Sequence, residues 1–467
     1  MNLRLSFTII VSKILILALR LLRSGGTTLP GKVAYKIYPG IIKVISRNFK
    51  IIMVTGTNGK TTTTRIIGEM LKESGITHVT NKSGANLVSG VITTLIEAVD
   101  ISGKSKASTA LIEVDEAAFN LVTDYVQPDI IVVTNFFRDQ LDRYGELYTT
   151  LNGVKAGIQK SPNARLVLNA DDSLCASLGK DATSEVLYYG FDSKAYESPE
   201  KSLNSDATFC IYCKNKYEYT NRIYGHLGGF ICSTCGYRRP EPQVTCVSVE
   251  ELNSSYSNVV FSSNCQKADN KPVTINAKIN LPGLYNIYNA LAATSLGCLL
   301  NIPGEILVKS LESFECGFGR METIVTQGKN IKLILVKNPT GFNQVINYLL
   351  TEDKTMQIAF IINDKLADGT DISWLWDVDF EKLCKVQEIA GTFYTSGIRA
   401  EDMAVRLKYA GIYSNRIKVI KNYEELINSG LSNIESGQSF YILPTYTSML
   451  EIRSFLKKKY GLKEFWK

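Results

Sequence analysis

Short apolar runs alternate with stretches of helical spacing along most of the chain. In the first half, the runs that read as strands are short and rich in β-branched residues, and they cover residues 51–54, 77–80, 110–114, 130–134 and 166–168. Apolar residues recur at helical spacing over 63–74 and 88–98. This alternation predicts an α/β fold with a doubly wound parallel sheet.

A second strand–helix series begins near residue 323. Its predicted strands lie at 332–336, 357–362, 388–392, 417–420 and 438–443, with helices between them. We expect this series to form a separate Rossmann-like α/β domain. The predicted division is an N-terminal helical segment at 1–45, a central domain at 46–322 and a C-terminal domain at 323–467.

The N-terminal stretch 3–22 is apolar but carries Lys13 near its middle, and no small-residue cleavage site follows it. A helix that spans a bilayer needs about 20 apolar residues. We therefore predict an amphipathic helix that packs on the first domain or lies on a membrane surface, with a membrane anchor as the alternative. The basic residues here could face acidic headgroups or solvent: Lys13, Arg20, Arg23, Lys32 and Lys36.

Composition narrows the class of protein. The chain has 467 residues, 45% of them hydrophobic and 21% charged, with a net charge of +7, which is ordinary for a globular protein and does not by itself indicate nucleic acid. Ten cysteines without a secretory signal favour a reducing, cytoplasmic location, where paired cysteines bind metal. Only His78 and His226 are present, which argues against an internal Cys–His or Ser–His nucleophile.

Residues 51–62 have the order of a phosphate-binding loop, namely a buried strand, a glycine-punctuated turn, a Lys-Thr pair and a helix. Backbone N–H groups and a helix N-terminus there would face phosphates, the lysine would add a charge, and the Thr61 hydroxyl would bind Mg²⁺. The predicted nucleotide-binding residues are Thr57, Asn58, Gly59, Lys60, Thr61 and Thr62.

Two Cys-x-x-Cys pairs stand about twenty residues apart in a segment at about 205–240. Cys210, Cys213, Cys232 and Cys235 have the spacing of a four-thiolate zinc ribbon, and a closed site of this kind is structural. Two redox pairs are the alternative. We expect His226, between the pairs, to be a polar surface residue. The remaining six cysteines are interpreted as small core residues: Cys175, Cys246, Cys265, Cys298, Cys316 and Cys384.

The loop sequence Gly56-Thr57-Asn58-Gly59-Lys60-Thr61-Thr62 resembles that of the Mur ligase family, whose members use ATP to activate a carboxylate as an acyl phosphate for attack by an amine. Further segments resemble the family in the same order. They are Thr134-Asn135 with Asp139-Gln140-Leu141-Asp142 and Gly145, Asn169-Ala170-Asp171-Asp172, the run from Leu281 to Ala293, and Phe318-Gly319-Arg320-Met321-Glu322.

The resemblance implies roles for single residues. Glu113, with Glu116 as the second choice, would hold Mg²⁺, Asn286 and Asn289 would contact the nucleotide, and Arg320 would reach the phosphates. Gln140 stands where the family carries a histidine. Lys155 lies where some relatives carry a carbamylated lysine, although a solvated helix lysine is the simpler interpretation.

The C-terminal third has two informative segments. Val336-Lys337-Asn338-Pro339 keeps the Asn-Pro of a family motif but lacks its acid and histidine, so the pocket for an incoming amino acid is altered. The stretch 361–381, with Asp364, Asp368 and Asp371 before Trp374 and Trp376, resembles the MurT family, the Mur-ligase-like subunits of lipid II isoglutaminyl synthase. The plain alternative is a solvated acidic loop above two packed tryptophans.

This second resemblance implies a reaction and a partner. Mg·ATP would phosphorylate the α-carboxylate of D-glutamate in lipid II, and ammonia would displace phosphate to give D-isoglutamine. A GatD-type glutamine amidotransferase would supply the ammonia as the other half of a heterodimer. An aspartate of this chain would complete the partner's Cys–His–Asp triad, with Asp371 preferred, then Asp368, then Asp364.

Two other functions remain open from the residues alone. One is a self-sufficient Mur or folylpolyglutamate-type ligase that adds an amino acid. The other is a zinc-ribbon ATPase that binds nucleic acid, for which the ribbon supplies basic residues and tyrosines. The expected cofactors are ATP, Mg²⁺ and a structural Zn²⁺, and we expect no nucleic-acid partner.

Overall fold

The computed structural model describes residues 3–21, 28–81, 85–138, 147–196, 206–253, 255–268, 271–314 and 320–462. The helices are α1 (Leu3–Leu21), α2 (Leu29–Ile37), α3 (Ile41–Ile45), α4 (Lys60–Glu73), α5 (Val88–Ala98), α6 (Glu116–Thr123), α7 (Leu147–Gln159), α8 (Ser173–Ser177), α9 (Leu284–Leu299), α10 (Gly304–Glu312), α11 (Pro339–Leu349), α12 (Ala400–Tyr409), α13 (Tyr423–Ser432) and α14 (Tyr446–Tyr460). Short 3₁₀ turns cover Ser46–Asn48, Ser373–Asp377, Phe380–Lys385 and Ser414–Arg416.

The strands form one large sheet, one smaller sheet and a hairpin. They are β1 (Lys50–Thr55), β2 (His78–Thr80), β3 (Thr109–Glu113), β4 (Ile130–Val133), β5 (Arg165–Asn169), β6 (Val186–Phe191), β7 (Glu218–Tyr224), β8 (Leu227–Ile231), β9 (Val244–Leu252), β10 (Ser257–Ala268), β11 (Lys271–Ile279), β12 (Arg320–Thr326), β13 (Lys329–Ile334), β14 (Met356–Ile361), β15 (Ala390–Ser396), β16 (Ile417–Val419) and β17 (Ser439–Pro444).

The large sheet has the order β11-β10-β9-β6-β5-β4-β1-β3-β2. Seven adjacent strands of this sheet pair in parallel, namely β9, β6, β5, β4, β1, β3 and β2. Helices cover both faces of the sheet. Alternate residues of β1 enter opposite cores, since Ile52 and Val54 pack with α4 and α9 whereas Ile51 and Met53 pack with α5, α6 and α7. The predicted doubly wound sheet is confirmed for this part, and α4 begins at Lys60 rather than at residue 63.

Long antiparallel strands extend the sheet where no strands were predicted. β9, β10 and β11 form an antiparallel meander at one edge. Along β11 the buried Ile275 and Ala277 alternate with exposed polar residues, and along β10 the buried Val259 and Phe261 alternate with half-buried residues. The sheet is therefore mixed rather than purely parallel.

The second sheet has the order β12-β13-β17-β14-β15-β16, with β12 antiparallel to β13 and the other pairs parallel. The five predicted C-terminal strands are present within a few residues, and the additional strand β12 begins at Arg320. Separate apolar cores cover its two faces. The Arg453 side chain of α14 pairs with Glu322 of β12 at 2.9 Å, which ties the added strand to the helix layer.

The predicted N-terminal helix is confirmed as α1. It contacts α2 and α5 through Leu5, Ile9 and Ile16, which are buried in the core on that face of the large sheet. Among the helices described here, none combines the length and the apolar character that crossing a membrane requires.

Leu291 tests the packing of α9 on α4. Its side chain is fully buried in the core shared with Ile66, Ile67 and Met70. We expect Leu291→Ala to lower the free energy of unfolding by about 2–5 kcal/mol, because it removes packed methyl groups and leaves a cavity. Val325→Ala, at a side chain that is 70% exposed, should change it by less than about 0.5 kcal/mol. Equal losses in denaturant titrations of the two variants would contradict this packing.

Candidate functional site

The turn between β1 and α4 has a backbone shape that requires glycine. Gly56 and Gly59 have φ values of +120° and +84°, in the left-handed region that other residues avoid. A Cβ on Gly59 would lie 1.9 Å from Oδ1 of Asn289, and a Cβ on Gly56 would lie 2.4 Å from Oγ1 of Thr134. The loop therefore passes closely between the end of β4 and the start of α9.

Residues after β4 hold this loop in place. The backbone N–H of Thr57 donates to the carbonyl of Asn135 at 2.9 Å, and the N–H of Asn58 donates to the Asn135 side chain at 3.0 Å. The Thr134 hydroxyl donates to the Asn58 carbonyl at 2.7 Å. The sequence marked Thr134-Asn135 only as part of a longer motif, and the structure identifies this pair as the support of the loop.

Lys60 is buried beneath the loop beside three carboxylates. Its Nζ donates to the Gly56 carbonyl and to Oε2 of Glu116, each at 2.5 Å. Burial lowers the pKa of this ammonium, but the carboxylates of Glu116, Asp115 and Glu113 outweigh burial and the net shift is upward. Lys60 is therefore positively charged throughout the neutral pH range.

The two candidate magnesium ligands differ in their contacts. The carboxylate of Glu116 forms an ion pair with the ammonium group of Lys60. Glu113 is also buried, yet no described residue donates a hydrogen bond to its carboxylate. The Glu113 carboxylate is therefore less engaged than that of Glu116. Thr61 and Thr62 are buried in the first turn of α4.

The start of α9 brings the predicted asparagines to the same place. Nδ2 of Asn289 donates to Oδ1 of Asn286 at 3.2 Å, and both side chains are buried. They line a cavity together with Asn58, Gly59 and Thr62. The structure thus assembles five predicted positions from two helices and a loop around one cavity.

The C-terminal domain closes this cavity. Nζ of Lys337 donates to the Thr57 carbonyl at 3.3 Å, and Nδ2 of Asn338 donates to Oδ1 of Asn58 at 3.0 Å. Lys60 donates to the same Thr57 carbonyl at 3.2 Å. The sequence drew attention to the missing acid and histidine here, and it did not assign a role to Lys337. Its only signal was the preserved Asn-Pro turn that begins α11.

Some predicted positions lie outside the described residues. They are Asp139, Gln140, Leu141, Asp142, Gly145, Phe318 and Gly319. Arg320 is described only as the first backbone position of β12. Lys155 forms a partly exposed ion pair with Asp181 at 3.0 Å, as expected of a solvated helix lysine.

The four paired cysteines converge at the open end of the β7–β8 hairpin. Their sulfur atoms all lie within 4.8 Å of one another, with Cys210 and Cys235 at 3.5 Å and Cys213 and Cys232 at 3.4 Å. The N–H of Asn215 is the main cause that lowers the pKa of the Cys213 thiol to about 6. A thiolate therefore forms there at neutral pH.

The hairpin is anchored on the turn after β5. Arg239 pairs with Oδ1 of Asp171 at 2.5 Å, and Tyr288 of α9 donates to Oδ2 of the same residue at 2.6 Å. Asp172 caps α8 and accepts from the N–H of Phe136 at 2.6 Å. The cysteine-rich insertion is thus rigidly linked to the sheet that carries the phosphate loop.

His226 is not the surface residue that the sequence predicted. It is fully buried, its ring lies 4.6 Å from that of Phe137, and Nε2 lies 3.3 Å from Oδ1 of Asp172. The hairpin turn folds against the end of β4, and this contact buries His226.

Two cysteines outside the Cys-x-x-Cys pairs also differ from expectation. Cys265 is exposed and Cys384 is partly exposed, whereas Cys175, Cys246 and Cys298 are buried. Cys316 lies outside the described residues.

The three candidate aspartates of the C-terminal domain have different surroundings. Asp368 is buried and accepts from the N–H of Thr447 at 2.7 Å, from its hydroxyl and from the N–H of Lys365. Asp364 pairs with Arg399 at 2.6 Å. Asp371 is exposed and accepts from the N–H and hydroxyl of Ser373, at 2.8 and 2.9 Å. Asp371 is therefore the one of the three that another protein can reach most easily.

The surface beside this loop carries large side chains. The sequence left open that both tryptophans pack beneath the acidic loop, and only one of them does. Trp374 is half-buried, whereas Trp376 is 55% exposed and lies against Tyr409 with ring centroids 5.7 Å apart. Leu366 in the same loop is 85% exposed.

Known proteins resemble the chain over nearly its whole length. The family model described as MurT ligase C-terminal matches residues 335–449, and that described as Mur ligase middle domain matches residues 54–227. The lipid II isoglutaminyl synthase (glutamine-hydrolyzing) subunit MurT of Streptococcus pneumoniae is 34% identical over 93% of each chain. The subunit of the same name from Staphylococcus aureus is 32% identical over 95% of each chain.

Solved structures share the fold at low sequence identity. MurF from Acinetobacter baumannii aligns with a TM-score of 0.64 at 17% identity, over 91% of this chain and 80% of that chain. A pseudomurein peptide ligase type C from Methanothermus fervidus aligns with a TM-score of 0.61 at 22% identity, over 88% and 78%. The fold is therefore that of the Mur ligases. Because the chain is 32–34% identical to the two MurT subunits over nearly its whole length, it belongs to the MurT family.

Proposed function

We propose that this chain is the ATP-dependent subunit of a lipid II isoglutaminyl synthase, which converts the α-carboxylate of D-glutamate in lipid II into an amide. The names of its relatives in S. pneumoniae and S. aureus support this activity. The reaction passes through an acyl phosphate, formed with ATP, from which ammonia displaces phosphate. The enzyme is a carbon–nitrogen ligase of peptidoglycan synthesis.

The observation that carries the proposal is that two lysines from different domains meet at one atom. Lys60 and Lys337 both donate to the Thr57 carbonyl. Two ammonium groups this close repel each other. An anionic phosphate chain bound between them would be attracted to both ammonium groups and would offset their repulsion. The site therefore suits the β- and γ-phosphates of ATP, and it forms only when the C-terminal domain lies against the loop.

The other predicted residues supply the remaining contacts. The N–H groups of Thr57 and Asn58 donate to Asn135, so the N–H groups of Gly59 and of the first turn of α4 face the phosphates. Asn286 and Asn289 contact the nucleotide. Thr61 and Glu113 suit Mg²⁺, since a hydroxyl and a carboxylate are the oxygen ligands that it prefers. Mg²⁺ supplies charge neutralisation in phosphoryl transfer, and Arg320 contributes to the same task.

Ammonia comes from a second protein in this proposal. Within the described residues, neither histidine is paired with a cysteine for glutamine hydrolysis. His78 lies 3.4 Å from the Ile76 carbonyl, and His226 packs against Phe137 and Asp172. We infer a heterodimer with a GatD-type glutamine amidotransferase, whose triad histidine is oriented by Asp371. Asp368 positions the loop instead, because its carboxylate is already occupied by Thr447 and Lys365.

We also propose that the four cysteines hold a structural zinc ion in a ribbon inserted at about 205–240. Tetrahedral Zn–S bonds of about 2.3 Å place sulfur atoms roughly 3.8 Å apart. The observed separations of 3.4 and 3.5 Å are close to that value. All four positions are protein ligands, so the ion stabilises the hairpin and takes no part in the reaction.

The domain division remains a proposal: a helical segment at 1–45, a central domain at 46–322 and a C-terminal domain at 323–467. The two separate sheets support it. The catalytic cavity then lies between the second and third parts, as residues from both line it.

The test is amidation of lipid II by the purified chain with Mg·ATP and three nitrogen sources. Product is expected with ammonium, and with glutamine plus the amidotransferase, but not with glutamine alone. Condensation with an amino acid in place of ammonia would identify an amino-acid ligase. ATP hydrolysis stimulated by DNA or RNA, without amidation, would identify a nucleic-acid-dependent ATPase.

Asp371→Asn separates the two half-reactions. We expect the glutamine-driven rate of the complex to fall about tenfold or more, because an amide cannot stabilise the histidinium of the triad. The ammonium-driven rate should stay within about twofold of the original. Asp377→Asn, at an exposed carboxylate in the same loop, is the matched control and should change neither rate. Parallel loss of both rates in Asp371→Asn would refute the assignment.

Metal analysis tests the ribbon. The chain purified without chelator should contain about one zinc ion, and Cys213→Ser should contain none and unfold at a lower temperature, because the hairpin loses its cross-link. Cys265→Ser, at an exposed cysteine outside the cluster, should keep its zinc. Equal zinc contents in the two variants would exclude the site.

A further inference from the structure

Helix α1 exposes a continuous apolar stripe. Six large side chains recur at spacings of three and four residues and are 42–77% exposed: Leu3, Phe7, Ile10, Ile14, Leu17 and Leu21. Such a spacing places all six on one side of a helix about 28 Å long. In a protein surrounded only by water, a stripe of this size is unfavourable.

The opposite side of α1 is less apolar than the exposed side. Leu5, Ile9 and Ile16 are buried there, but so are Ser6 and Ser12, whose hydroxyls have no hydrogen-bond partner among the described residues. A helix selected only for packing on its own domain would bury its largest apolar residues and expose its serines. The residue pattern of α1 therefore favours an apolar neighbour outside the chain.

Polar contacts fix the orientation of the stripe. Lys13 donates to the carbonyl of Val99 at the end of α5, and Arg4 donates to the carbonyl of Ile37 at the end of α2 at 2.7 Å. Arg20 pairs with Glu97 of α5. Rotation that would bury the stripe breaks all three interactions, so the stripe stays outward.

Charge identifies the neighbour. Residues 1–50 contain nine lysines and arginines and no aspartate or glutamate. The whole chain carries +7, so the remaining 417 residues carry −2. Exposed members of the basic set lie on α2, which packs against α1, on α3, which follows α2, and in the turn after α3: Lys32, Lys36, Lys43 and Arg47. An apolar helix in a purely basic segment suits the surface of an anionic bilayer.

We propose that α1 lies flat on an anionic membrane, with the stripe from Leu3 to Leu21 in the boundary between headgroups and acyl chains and with α2 and α3 supplying basic contacts. This inference goes beyond the proposed amidation and does not depend on it. The other conceivable occupant of the stripe is α1 of a second copy of the chain.

The test measures sedimentation of the full-length chain with vesicles that contain neither substrate nor ATP. Vesicles of 30% phosphatidylglycerol in phosphatidylcholine should bind the chain, and pure phosphatidylcholine should bind it at least about fivefold more weakly, because basic residues near the surface add to the affinity. Binding should weaken as salt is raised. Equal binding to the two vesicle types, or none to either, would overturn the proposal.

Matched triple variants identify the surface. Phe7→Ser with Ile14→Ser and Leu17→Ser should lower partitioning about tenfold or more, since three apolar side chains leave the bilayer. Leu121→Ser with Val325→Ser and Val419→Ser removes three exposed apolar residues elsewhere and should leave partitioning unchanged. All six positions are exposed, so both variants should unfold at the temperature of the original. Similar partitioning of the two variants would refute docking by α1.

Charge variants and association state complete the test. Lys32→Glu with Lys36→Glu and Lys43→Glu should abolish the preference for phosphatidylglycerol. Lys354→Glu with Lys408→Glu and Lys418→Glu, at exposed C-terminal positions, should preserve it.

Sedimentation velocity without vesicles should show the same mass for the original chain and for the triple variant Phe7→Ser with Ile14→Ser and Leu17→Ser. A dimer that this variant dissociates would assign the stripe to a second copy and overturn the membrane proposal.

Discussion

At the carbonyl oxygen of Thr57, a lysine from each of the two α/β domains of this chain donates a hydrogen bond. These are Lys60 of the central domain and Lys337 of the C-terminal domain. The loop reaches this position because Gly56 and Gly59 have backbone shapes that permit close approach and because Asn135 holds its amides. Two cations at one atom make the closed cavity suited to phosphates.

Much of this site could be predicted because short-range chemistry determines it. A glycine-punctuated turn between an apolar strand and a helix is a local pattern, and so is a pair of Cys-x-x-Cys turns. The structure brings Asn58, Gly59, Thr62, Asn286 and Asn289 to one cavity, as the motif order implied. The distance between β1 and α9 along the chain did not matter, because parallel strands and their helices converge at one edge of the sheet.

The features that escaped prediction depend on long-range packing. The role of Lys337 follows from how one domain rests on the other, and no local pattern contains that information. His226 lies in a polar hairpin turn, and only the docking of the hairpin on Phe137 and Asp172 buries it. Strand β11 of the meander does alternate in polarity, and this alternation could have been recognised. The strands of the meander follow the cysteine-rich insertion, which interrupted the expected strand–helix order.

The central claim is that the carboxylate of lipid II is activated as an acyl phosphate in the cavity between Lys60 and Lys337. Lipid II labelled with ¹⁸O in the α-carboxylate of its D-glutamate tests this most directly when amidation is followed by mass spectrometry of the released phosphate. The account predicts one ¹⁸O atom in inorganic phosphate for each amide formed. Amidation with unlabelled phosphate, or with the label in AMP, would contradict it.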